Sequence, residues 1–212
     1  MTASDSPIAS LMMAAKMPDG LRETYGCLVD EVVELNARWM VFKQLYASGD
    51  ERIKLFNTTA PALFSMVHDS MRDGIFMSIN RLADPLRDRQ GNENLTLSRL
   101  IDYLQQPDNQ SLLTRLKDLL QAIERESTPL RAWRNRRGGH NDLRTSVQYE
   151  VHPLPAIKFD SVEDVLRLTA EILNLVRTHF GYERTDFSAV IMLGDGDSIV
   201  RCLERAQHDR DS

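Results

Sequence analysis

The 212-residue chain is 42% hydrophobic, 27% charged and 7% aromatic, with a formal charge of −5 and two cysteines. These values fit one ordinary globular domain and exclude a disordered chain, a disulfide scaffold and a surface that attracts nucleic acid everywhere, so any such binding must come from a local cluster. No apolar run approaches the roughly 18 residues of a membrane span, and the first residues lack the basic lead of a secretory signal, so a cytoplasmic location is expected.

Residues 1–18 include IASLMMAAKM, which has apolar residues but no clear cap or stop; they are expected to form a flexible arm or a short partner-binding helix ahead of a domain at 19–207 and a tail at 208–212. Leu28, Val32, Leu35, Trp39, Phe42 and Tyr46 recur at steps of four and three. That spacing predicts a helix over residues 21–47, stopped by Ser48-Gly49-Asp50. Ala60, Phe64, Val67, Met71, Ile75, Ser78 and Leu82 repeat the pattern as far as Asp84-Pro85, and the two helices are expected to pair as an antiparallel hairpin. The polar PLRDRQGNEN reads as an exposed loop, and NLTLSRLIDYLQQ as a short helix halted by Pro107.

Leu112, Leu116, Leu119 and Ile123 open a third long helix, interrupted at Thr128-Pro129 either by a kink or by a new start with Thr128 as its cap. Leu130 and Trp133 then anchor one side while Arg131 and Arg134 point elsewhere. After the proline-rich VHPLPAIKF, a cap-like Ser161 precedes Val165, Leu168, Ile172, Leu175 and Val176, a fourth long helix ending at Gly181. VIMLGDGDSIVRCLERAQ reads as an apolar strand-like fragment, a Gly-Asp turn capped by Asp or Ser, and a last short helix. The expected fold is all-α: four main helices in a bundle, with additional short ones.

Residues 131–144 set Arg131, Arg134, Arg136, Arg137 and Arg144 against one acid, Asp142, a basic island on an acidic chain. A guanidinium meets phosphate oxygens two at a time and stays charged near neutral pH. His140 adds a group able to exchange protons there, and Gly138-Gly139 lets the backbone turn so that the imidazole folds back towards Arg134 and Asn135. RNA cleavage by transesterification uses this pair: the 2′-hydroxyl gives up a proton, the phosphate gains charge, and the 5′-oxygen needs a proton as it leaves.

Arg134-Asn135, four residues, then His140 resembles the RNxxxxH motif of HEPN proteins, a helical superfamily containing many metal-independent endoribonucleases. His140-Asn141-Asp142, the long first helix with Trp39, INRLADP, NLTLSRLI and the closing Gly-Asp segment are similar to its AbiU-type abortive-infection branch. The resemblance implies a helical bundle that dimerises with the motif helices near the two-fold axis. Arg134 and His140 would then be catalytic, with Asn135 orienting one of them or the phosphate, and Arg131, Arg136, Arg137 and Asp142 would contact RNA. It further implies action in phage defence or as a toxin, with an antitoxin protein as a possible partner and no cofactor. Two departures stand out: Gly138-Gly139 replaces the usual small apolar residue plus alanine, and the tyrosine two residues after the histidine is missing.

Simpler readings compete. RNRRGGH is also an ordinary basic helix end with a glycine stop. His140 with Asp142 lacks further ligands at metal-binding spacing, so no metal is expected. His68, His152, His179 and His208 are scattered, and Trp39 and Trp133 read as core rather than as a base-stacking platform. The competing function is a noncatalytic HEPN-like module binding RNA, a nucleotide or a protein through the same arginines.

Overall fold

A computed structural model describes residues 17–135 and 157–211. Helix α1, Asp19–Tyr46, buries Leu21, Tyr25, Leu28, Val32, Leu35, Trp39, Phe42 and Leu45, the stripe that its spacing predicts. It stops where Gly49 takes a φ of 108°, a conformation that costs glycine little and other residues much. Helix α3, Pro61–Leu82, starts on proline, whose missing N–H is harmless in a first turn. It runs antiparallel to α1: the Tyr46 hydroxyl donates to Phe64 O at 2.9 Å near one end, and Arg81 pairs with Glu31 at 2.6 Å near the other.

Between them lies a helix that the sequence reading omitted, α2, Asp50–Thr59. Only Leu55 and Phe56 are buried on it, too few to register as a period. With Leu45 and Val200 these two form a small second core, in which the Phe56 and Phe64 rings stack at 4.0 Å.

Helices α4, Leu97–Tyr103, and α5, Gln110–Glu126, follow the loop and the turn at Pro107–Asn109. Helix α6, Thr128–Trp133, is a new start, but Thr128 does not cap it: its hydroxyl donates back to Glu124 O at 3.0 Å. Helix α7, Phe159–His179, begins two residues before the expected Ser161, and it is buried all round from Ile172 to Arg177. It packs against α5 and α1, where the Tyr25 hydroxyl donates to Leu173 O at 3.2 Å. Burial pushes that phenol up to about 12, against a smaller opposing pull from Arg177.

The apolar fragment at 190–193 forms no strand; Ile191 and Leu193 are 96% and 101% exposed, with no neighbouring strand to satisfy an extended backbone. Asp195 then caps α8, Gly196–Asp211, as its turn chemistry predicts: Oδ1 accepts the Ser198 N–H at 3.0 Å. The helix continues through His208, beyond the expected end of the domain. Among the described residues there are eight α-helices and no strand, so the fold is the expected all-α bundle, with Arg87 and Glu93 forming one isolated bridge in the loop.

Candidate active site

Helix α6 has only six residues, too few to hold itself in place, and its position comes from α3. Asn80 is fully buried; its Nδ2 donates to Phe76 O at 2.7 Å within α3 and to Leu130 O at 3.3 Å across to α6. One turn further on, Asp84 receives Nη1 of Arg134 on both carboxylate oxygens, at 2.8 and 3.0 Å. Asn80 in the last turn of α3 and Asp84 just past its end thus hold Leu130 within α6 and Arg134 just past that helix. Leu130 is fully buried beneath this grip.

Asp84 is itself held firmly. Its N–H donates to Arg81 O at 3.2 Å, and the loop that follows is knitted by Asp88, which accepts the N–H of Gln90 at 2.8 Å and of Asn92 at 2.9 Å. The Asn92 side chain, followed by its backbone, holds the Asp88 carboxyl below its ordinary value. Arg99 Nη2 closes the loop onto α4 by donating to Leu86 O at 3.0 Å. Asp84 also lines a cavity of about 180 Å³ with Glu31, Arg81 and Asn94.

The Arg134 and Asp84 side chains are each 26% exposed, so the ion pair sits at the surface rather than in the core. Such a pair contributes roughly 1 kcal/mol, more through geometry than through charge alone. One guanidinium nitrogen serves Asp84, and a guanidinium carries five N–H donors in all. Arg131 lies beside it: Nη2 reaches Ala83 O at 3.4 Å, while Nε is buried without a hydrogen-bond partner among the described residues. Asn135 is exposed.

Trp133 points the other way. Its ring meets Phe76 edge-on at 5.8 Å, and the Arg72 guanidinium lies over it at 4.3 Å. As expected, Leu130 and Trp133 pack against the bundle and Arg134 reaches the surface at Asp84, whereas Arg131, expected to point away as well, buries its Nε and reaches Ala83 O. His140, Arg136, Arg137 and Asp142 lie outside the described residues. The structure therefore brings together Arg131, Arg134 and Asn135 of the expected set. It adds Asp84 and Asn80, which sequence reasoning did not assign to the site; both lie in INRLADP, where their four-residue spacing was the available signal.

Among the described residues, no cluster of His, Cys, Asp and Glu could hold a metal ion, and no helix is long and apolar enough to cross a membrane. Neither the curated proteins nor the solved structures give a match to this chain. The family model HEPN_AbiU2, described as AbiU2, matches residues 18–197, from the residue before α1 into the first turn of α8. That span takes in Asn80, Asp84 and the arginine they hold in place, and the chain belongs to the AbiU2 family of HEPN proteins.

Proposed function

We propose that the chain is a metal-independent endoribonuclease acting in phage defence or as a toxin in the cytoplasm, cutting RNA by 2′-hydroxyl transesterification at a site shared between two copies. The supporting observation is the placing of Arg134: a fixed cation at the surface, held by Asp84 through one nitrogen, at the end of a short helix pinned from behind by Asn80.

In this reading His140 takes the proton of the 2′-hydroxyl, whose oxygen attacks the adjacent phosphorus. Arg134 stabilises the charge that builds on the phosphoryl oxygens. The bond from phosphorus to the 5′-oxygen breaks, and the leaving oxygen receives a proton from the second copy of His140, leaving a 2′,3′-cyclic phosphate and a 5′-hydroxyl. A two-fold site supplies base and acid from one sequence position. Asn135 orients the phosphate or the imidazole, and Arg131, Arg136, Arg137 and Asp142 contact the RNA strand.

Purified protein incubated with mixed RNA and EDTA should generate those two ends. Arg134→Ala and His140→Ala should each lower cleavage by at least about 100-fold, with helicity and dimer mass unchanged. Full cleavage by either variant, or a strictly monomeric native mass, would sink the proposal.

A second reading has its own observation. Arg134 is ion-paired, and an arginine that only braces a helix needs no chemistry. The chain would then be a noncatalytic binding module, and uncut RNA across a broad substrate set, with retained binding, selects it.

A further inference from the structure

Between α1, α3, α6 and the start of α7 lies an open cavity of about 210 Å³, walled mainly by aromatic rings. The rings fall into two groups. Phe76 and Trp133 pack edge to face at 5.8 Å, with the Arg72 guanidinium over the indole. Trp39, Phe42 and Phe159 form the other group, with centroids 5.3 to 6.1 Å apart. Trp39, Phe42 and Phe76 are 5%, 5% and 8% exposed, but Phe159 is 44% exposed and leaves an apolar ring at the opening.

The walls also carry polar groups. Arg72 is held by Asp69 at 2.9 Å and Asp73 at 3.0 Å, so its guanidinium plane is fixed against Trp133. Lys158, exposed at the rim, makes no ion pair among the described residues. The cavity is smaller than the roughly 300–1,000 Å³ of sites for drug-sized ligands, a size for one flat ring system.

We infer that this cavity is a nucleobase subsite, receiving one unpaired base of a single-stranded RNA between the two ring groups while the adjoining backbone passes Lys158 at the rim. Base-on-aromatic and base-on-guanidinium stacking is the usual way proteins hold unpaired bases. Trp39 is core, as its spacing implied, whereas Phe159 at the opening presents the exposed aromatic face. As an account of substrate choice the inference rests on the nuclease reading; as a binding site it does not.

The two tryptophans of the chain both line this cavity, so intrinsic emission reports its occupancy. The full-length protein is titrated with a short single-stranded 2′-O-methyl oligonucleotide, which cannot be cleaved, and with an abasic oligomer of equal length and charge. The base-containing strand should quench emission saturably and bind about tenfold more tightly than the abasic one. Phe159→Ala and Phe159→Leu should each lose about tenfold in affinity with an unchanged circular-dichroism spectrum; leucine keeps apolar volume but not the flat face. Equal binding of the two strands, wild-type affinity in Phe159→Leu, or no quenching at saturation would overturn the inference. Failure of the nuclease reading looks different: ordinary RNA stays uncut while quenching and base preference persist. If instead RNA is cut with the same KM by wild type and Phe159→Ala, the base subsite falls and the nuclease stands.

Discussion

Arg134 illustrates how one contact serves both position and chemistry. Its pairing with Asp84 fixes the guanidinium without using all of its donors, so removing the carboxylate charge should disturb aim before it disturbs folding. Asp84→Asn is expected to lower kcat by about 10- to 100-fold while KM changes less than about twofold, because the loss falls on transition-state stabilisation. Melting temperature should fall only about 2–4 °C, the shift that about 1 kcal/mol produces in a chain of this size. Unchanged turnover in a folded Asp84→Asn protein would reduce the pair to a brace. The sequence held half of this contact in view. Arg134 stands out within a run of arginines, whereas Asp84 sits fifty positions earlier beside a proline, where an acid reads as helix punctuation.

At the level of elements, legibility followed the amount of apolar surface each segment buries. Helices α1, α5 and α7 carry long stripes and were readable from spacing; α2 contributes two buried side chains and was not. Helix α6 depends on tertiary partners, so its new start at Thr128 was one of two open alternatives. The 190–193 fragment misled because β-branched and apolar residues fit a strand pattern that only a neighbouring strand could realise. The Asp195 turn, by contrast, was readable because capping is local chemistry. Asp195 caps α8 and accepts Gln44 Nε2 at 2.8 Å, joining that helix to α1. Asp195→Ala should therefore cost about 1–2 kcal/mol in urea unfolding, as the loss of a cap does. A loss below about 0.3 kcal/mol would mean that α8 is held by its apolar face alone.

Several carboxylates are set low by hydrogen bonds, and two phenols, Tyr25 and Tyr46, are set high by burial. The Ser198 and Ser188 hydroxyls hold Asp195 and Asp186 below their ordinary values, the Asn92 side chain does so for Asp88, and Lys43 for Glu163. A carboxyl whose folded value is lowered adds stability that is complete above its unfolded value, about 4, and fades as pH falls towards the folded one. Tyr25, raised to about 12 from 10.0, adds stability that is complete below about 10 and fades as pH rises through 12. The urea midpoint should therefore be flat between about pH 5 and 9, fall on either side, and keep more of its alkaline stability in Tyr25→Phe, which has no proton to lose. Loss of alkaline stability at the same pH in Tyr25→Phe as in wild type would assign it to another group.

The grip of Asn80 and Asp84 on α6 has a further consequence for which changes in chain length the molecule can absorb. Each α-helical residue turns the chain by about 100°, so one residue inserted or deleted between Asn80 and the end of α3 at Leu82 would swing one of the two fasteners off its partner. The hairpin-like excursion from 85 to 96 bears no such phase, since closing a longer loop costs only a few tenths of a kcal/mol for each added residue or two. Extra residues near Gly91 would open the turn that Asp88 closes on Asn92 but not the bond from the Asp84 N–H to Arg81 O, and should leave the motif arginine where it stands.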